Sequence, residues 1–358
     1  MTARAALATF VSILASFYGL LFAAYLMDPR ILHFRGWEYH IIFPYVSGIG
    51  RSLIFQESGD SSRQYLLQRY RQTNTVTLNE NGNRPACYRP ADIGAPRLVA
   101  LGDSQMFGSY SDDADTFPAQ LCQSPGANIY NGGRRNVMTL LRVQTMPFDA
   151  ILFATTERYT LANTYCAGFD EFAASFEQKL PEDSVHLPPA TAQNLTGTVI
   201  AAFGYYNSYL ASRLDALLGS AIIGLEAPPS HLFFAGHQFK PVAPFVDKEV
   251  ACAKRLSEFF TARGYAVGFL YFPAHQTLYG REAGLAVDTE TLSYLDLVYD
   301  GLSKAHLRTM DSKGCLVDAK LHGQIHHMHD THLNADGYRA LADCFRASPL
   351  NSLIARKN

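Results

Sequence analysis

Arg97-Leu98-Val99-Ala100-Leu101-Gly102-Asp103-Ser104 decides the architecture of this chain. Leu98 to Leu101 is a continuous apolar run of strand length. Such runs belong to strands covered on both faces, as in a parallel sheet between helices. Gly-Asp-Ser then turns the chain at the strand's carboxyl end, the side on which open α/β sheets bind ligands.

The same rhythm continues outward. Asp115-Thr116-Phe117-Pro118 has the form of a helix start, with proline in the first turn. Ala127-Asn128-Ile129-Tyr130 reads as a second strand, ending in Asn131-Gly132-Gly133, with a helix from about Met138. Phe148 to Ala154 is a third strand. Asp247 to Arg263 has helical spacing and Gly264 as its stop, Tyr265 to Phe272 is a strand, and Thr289 to Leu307 and Gly337 to Phe345 are helices. Strands alternating with helices imply right-handed crossovers and a doubly wound parallel sheet.

Three regions are expected. Residues 1–30 form an N-terminal signal anchor, 31–95 a juxtamembrane segment, and 96–350 the α/β domain. Within that domain, 169–245 is an insertion or cap punctuated by Pro181, Pro188, Pro189, Pro228 and Pro229. An apolar helical stretch at about Thr198 to Leu225 is broken by Arg213 and Asp215, which argues against a second membrane helix.

Far downstream the chain reads Asp330-Thr331-His332-Leu333-Asn334-Ala335-Asp336-Gly337-Tyr338. Gly-Asp-Ser alone is only a good turn. Paired with this segment, it supplies a nucleophile, Ser104, a base, His332, and a carboxylate, Asp330. A free hydroxyl needs a positioned base, and the base needs an acid to orient its ring.

These two segments resemble the first and last blocks of the SGNH (GDSL) hydrolase superfamily. Ile129-Tyr130-Asn131-Gly132-Gly133 is similar to its second block. The resemblance spans about Pro96 to Phe345. It implies a three-layer, flavodoxin-like sheet and an acyl-serine mechanism, with the backbone N–H of Gly133 and the neighbouring Asn131 at the oxyanion or substrate site. The third block departs from the superfamily's Gly-x-Asn-Asp. Here it is Ala154-Thr155-Thr156-Glu157-Arg158-Tyr159, without the asparagine that completes the oxyanion hole.

Glu157-Arg158-Tyr159, Phe272-Pro273-Ala274-His275-Gln276-Thr277-Leu278-Tyr279 and Asp330-Thr331-His332 resemble segments of the alginate O-acetyltransferase-like proteins. The motif order here is not permuted, unlike theirs, and Leu333 stands where they have tryptophan. The chain is therefore read as a relative of that subgroup. The resemblance implies acyl transfer to an exopolysaccharide or cell-wall glycan, with the acyl donor supplied by a membrane acyltransferase and no cofactor. Transfer and hydrolysis share the covalent intermediate, and the motif residues do not separate a transferase from a carbohydrate esterase. Glu157 and Arg158 are read from this resemblance as further oxyanion or substrate-binding residues. Arg158 either donates to the oxyanion or clamps an acidic sugar, or else pairs with Glu157 or another acid.

Two other readings are open. His322, His326, His327, His329 and His332 with Asp330 could serve a metal-dependent hydrolase. The H-x-N-x-x-G-Y context is explained without metal, so no metal site is expected. A catalytically inactive, glycan-binding subunit of a secretion complex would explain the missing asparagine, but not an intact Ser104, Asp330 and His332.

No charged residue occurs from Ala5 to Met27. About 20 apolar residues span a bilayer, and a signal-peptide core runs only about 7–15. An uncleaved anchor in the cytoplasmic membrane is expected, with the catalytic domain in the periplasm. Arg4 before it and Arg30 and Arg35 after it barely decide the orientation. The six cysteines include no Cys-x-x-Cys pair. Disulfides suit an oxidising compartment. Cys315–Cys344, bracketing the histidine segment, and Cys87–Cys122, bracketing the serine, are the first pairings expected, although connectivity is not fixed by spacing. A net charge of −2 over 358 residues gives no reason to expect nucleic acid as a partner.

Overall fold

The computed structural model describes residues 3–27, 53–58, 73–78, 84, 86–92, 96–109, 111–133, 140, 146–157, 159–178, 226–227, 231–232, 243–279, 289–327 and 332–355. Helix α1 (Ala3–Met27) comes first, and strands β1 (Leu53–Ser58) and β2 (Thr73–Leu78) pair antiparallel. The α/β domain opens with β3 (Arg97–Gly102), followed by a one-turn helix α2 (Ser104–Phe107) and α3 (Phe117–Leu121). Strands β4 (Asn128–Gly133) and β5 (Ala150–Thr156) follow, then a π-helix (Ala162–Cys166) and α4 (Phe169–Glu177).

A two-residue pair, β6 (Glu226–Ala227) with β7 (His231–Leu232), precedes α5 (Ala243–Thr261). Then come β8 (Ala266–Phe272), α6 (His275–Tyr279), α7 (Thr289–Lys304), α8 (Ser312–Lys320) and α9 (Ala335–Ala347).

The central sheet has the order β4-β3-β5-β8, with every neighbouring pair parallel. Thr309 adds a parallel bridge beside Phe269 on β8. Alternate residues of each strand face opposite sides. Leu98, Ala100, Ile129 and Leu152 pack with Phe117, Leu316, Leu341 and Phe345, from α3, α8 and α9. Val99, Leu101, Ile151 and Phe153 pack with Phe172, Leu256, Phe260 and Val298, from α4, α5 and α7. The result is a parallel sheet between two helical layers. Both faces are buried, which is why β3 and β5 read as unbroken apolar runs.

Strand order starts in the middle of the sheet at β3, moves to β4, then returns across β3 to β5. The direction reverses between the carboxyl ends of β3 and β5, and a crevice opens there in folds of this kind. The Gly-Asp-Ser turn leaves β3 at that reversal.

Predicted and observed elements agree closely in the α/β domain. Thr116 caps α3 by accepting from Ala119 N–H, with Pro118 in the first turn, and Gly264 adopts φ +86° after α5. Three features were not read from sequence. β1 and β2 lie in the 31–95 segment, where no strand is expected from sequence. Helices α6 and α8 have no counterpart among the elements expected from sequence. The first residues of the 169–245 segment form α4, whose Phe169, Phe172 and Phe176 are buried in the core. The apolar stretch 198–225 and the start of the helix predicted from 138 lie outside the described residues.

α1 runs for 25 residues and exposes Phe10, Val11, Ile13 and Leu20. Among the described residues, no helix is long and apolar enough to cross a membrane. The structure therefore supplies a helix at the expected anchor and gives no support for a crossing.

All six cysteines are paired, as Cys87–Cys122, Cys166–Cys252 and Cys315–Cys344. Cys166–Cys252 was not among the pairings expected. It ties the π-helix after β5 to α5.

Candidate active site

Ser104 is the first residue of α2, and local chemistry places it there. Asp103 is the N-cap: its Oδ1 accepts from Gln105 N–H at 2.9 Å. Its other oxygen, Oδ2, accepts from Thr156 N–H at the end of β5, at 2.8 Å. One carboxylate thus starts the helix and pins it to the neighbouring strand. Gly102 lets the turn close, since a Cβ there would lie 2.4 Å from Met106 Cβ. Ser104 itself remains partly exposed.

His332 arrives from a different direction. His326 bridges to Leu333, His327 N–H donates to His332 O, and Asn334 N–H donates to Ile325 O. Asn334 then caps α9 by accepting from Gly337 N–H at 2.9 Å. Gly337 is needed because a Cβ would sit 2.2 Å from Ile325 O. These contacts hold His332 just ahead of α9. Its Nε2 lies 2.8 Å from Ser104 Oγ, across 228 positions of sequence. His332 is 5% exposed, while Ser104 is partly exposed.

Gln105 makes the second tie between these segments. Its Oε1 accepts from Leu333 N–H at 3.2 Å and from Tyr338 O–H at 3.1 Å. Nothing in the sequence singled it out. A buried glutamine directly after a nucleophile is the only signal that could have done so.

The remaining expected site residues divide. Gly133, expected to offer its N–H to an oxyanion, donates it to Asn131 Oδ1 at 2.9 Å. It is glycine because α2 packs on the end of β4: a Cβ would fall 2.3 Å from Phe107 N. Asn131 is 2% exposed, and its Nδ2 has no hydrogen-bond partner among the described residues. Glu157 turns into the protein. Its Oε2 accepts from Ala274 N–H at 2.8 Å and Thr277 O–H at 2.6 Å. Burial pushes its carboxyl up to about 7, against the lowering effect of those two hydrogen bonds. Glu157 therefore fastens the end of β5 to the start of α6. Asp330 and Arg158 lie outside the described residues, as do Arg134, Arg135 and His329.

The histidine cluster is largely inside the protein. His326 and His327 are buried, and the His326 ring stacks on His275 at 4.5 Å, with Tyr279 edge-on. His322 is exposed. Among the described residues, no group of three or more His, Cys, Asp or Glu is arranged to hold a metal ion.

No family model and no curated protein matches the chain. Among solved structures, it is similar to a member of the lipolytic protein G-D-S-L family from Veillonella parvula DSM 2008. Identity is 12% and the TM-score 0.36, over 70% of this chain and 96% of that one.

Proposed function

We propose that this protein is a serine-dependent acyl-transfer enzyme of the SGNH type. The observation that carries the proposal is the 2.8 Å contact between Ser104 Oγ and His332 Nε2, at the carboxyl edge of a parallel sheet. In the first half-reaction, Oγ attacks the acyl carbonyl and His332 Nε2 takes its proton. The tetrahedral oxyanion collapses, the ester C–O bond breaks, and the leaving alcohol receives the proton from His332. In the second half, an acceptor hydroxyl gives its proton to His332 and attacks the acyl-serine. Ser104 then leaves with that proton restored. Asp330 is assigned as the acid that orients the imidazole. Arg158 is assigned to the substrate side, where a guanidinium suits a carboxylate or an oxyanion.

The finer reading is an O-acetyltransferase acting on an exopolysaccharide or cell-wall glycan in the periplasm. α1 would tether it to the cytoplasmic membrane, and a membrane acyltransferase would supply the acyl group. The three disulfides favour an oxidising compartment. The uncharged run from Ala5 to Met27 favours an anchor. A carbohydrate esterase uses the same residues with water as acceptor.

Incubation with a labelled acetyl donor and candidate oligosaccharides, read by product mass, separates the two. Acetylated sugar is expected; free acetate alone makes the protein an esterase. Ser104→Ala is expected to abolish turnover of a small acetyl ester, and full activity in that variant ends the proposal. Asp330→Asn should slow it by roughly 10⁴-fold if the acid sets the tautomer, as in serine proteases. An unchanged rate means another group supports His332.

A further inference from the structure

The nucleophile stands on a helix of four residues, Ser104–Phe107. So short a helix cannot hold itself together. Asp103 secures its amino end. The other end is secured from outside the sheet, by Arg84.

Arg84 is 1% exposed. Its Nη1 donates to Gly108 O, the C-cap of α2, at 2.5 Å and more weakly to Phe107 O, the last carbonyl of the helix, at 3.4 Å. Its Nη2 donates to Ser111 O, and its Nε to Asp113 Oδ1 at 2.7 Å. Asp113 in turn accepts from Thr77 N–H of β2 with both oxygens, at 3.1 Å each. The guanidinium fork therefore grips the loop that follows Ser104 at three carbonyls and one carboxylate. Gly108 and Ser109 N–H both donate back to Ser104 O, so a grip on Gly108 bears directly on the serine.

The segment carrying Arg84 is anchored by other means. Cys87–Cys122 ties it to the end of α3, and Arg89 exchanges backbone hydrogen bonds with the Asn128 side chain at 2.7 Å. Removing the guanidinium leaves those ties intact.

We propose that Arg84 is a positioning residue for acyl transfer, holding the carboxyl end of α2 so that Ser104 Oγ stays on His332 Nε2. The inference rests on the reading of Ser104 as nucleophile. It also makes the segment before β3 a working part of the site.

The test compares Arg84→Met, Arg84→Lys and Ser104→Ala on 4-nitrophenyl acetate, with fluorophosphonate labelling of the serine and a thermal melt for each. A misplaced nucleophile costs about 100-fold. Arg84→Met is expected to lose about that factor in kcat and labelling rate, with KM nearly unchanged. Arg84→Lys should recover part of the loss, and millimolar methylguanidinium should partly restore Arg84→Met. Wild-type kcat in either folded Arg84 variant overturns the proposal. So does a loss accounted for entirely by a smaller folded fraction, or failure of both variants to fold. If Arg84→Met alone fails to fold, the kcat of folded Arg84→Lys decides. Activity persisting in Ser104→Ala instead removes the nucleophile reading itself.

Discussion

A serine hydroxyl and an imidazole at 2.8 Å form an ordinary hydrogen bond, and its meaning comes from where the two residues sit. Ser104 is partly exposed at a sheet edge, and His332 is almost wholly shielded behind it. A base in that position can take a proton from one oxygen and pass it to another. Glu157 makes the opposite case. It occupies the block where the resemblance placed an oxyanion donor, yet its carboxyl is buried and raised from 4.5 to about 7. Its folded value lies above its unfolded value, so the fold holds a proton that the unfolded chain releases. Stability should fall as pH rises from about 4.5 to about 7, by up to about 3 kcal/mol, and level off above. Glu157→Gln lacks that proton and should lack the loss. Urea unfolding of both proteins at pH 5 and pH 8 checks this. Parallel behaviour of the two would mean that Glu157 ionises normally in the fold.

At the level of elements, the site is a meeting of two helix starts. α2 begins after β3 under the Asp103 cap, and α9 begins after His332 under the Asn334 cap. Gln105 joins them through Leu333 N–H and Tyr338 O–H. Gln105→Leu removes the acceptor of two buried donors and should destabilise by about 1–3 kcal/mol. It should also lower kcat roughly tenfold or more by loosening Ser104 against His332. Steady-state kinetics on a small ester, with a melt alongside, measures both effects; wild-type kcat would show that the dyad does not need this link. Gly133 has a packing role against α2. Gly133→Ala should destabilise by about 1–3 kcal/mol by forcing α2 away from β4. An unchanged unfolding midpoint would show that the two backbones are not in such close contact.

For the molecule as a whole, three disulfides cross-link parts far apart in the chain, with separations of 35, 86 and 29 residues. Cys87–Cys122 and Cys315–Cys344 tie into the segments around Ser104 and His332, and Cys166–Cys252 joins two elements of the opposite helical layer. Loops of that size are worth about 3–5 kcal/mol each in the chain-entropy account. Iodoacetamide is expected to leave the mass of the native protein unchanged and to add to every cysteine only after reduction. Reduction should lower the melting temperature markedly. Adducts without reductant would contradict the pairing. The proposed tether is tested by removing residues 1–27 and following the protein through membrane fractionation. Release into the soluble fraction is expected, and retention would place the attachment elsewhere.

Local periodicity was enough to read the parallel sheet and most of its helices. An apolar run between turns, or a proline in a first turn, reports its own surroundings. The Ser104 and His332 segments could likewise be matched from residue type alone. Their juxtaposition belongs to the folded chain, because 228 positions separate partners that only the order β4-β3-β5-β8 brings to one edge. Side-chain direction belongs there too. Glu157 points into the core, Gly133 gives its N–H to Asn131, and Arg84 reaches across from outside the sheet to the loop after Ser104. A residue's neighbours along the chain set its backbone. Its neighbours in space set its burial and its partners, and those are where charge, proton and hydrogen bond are decided.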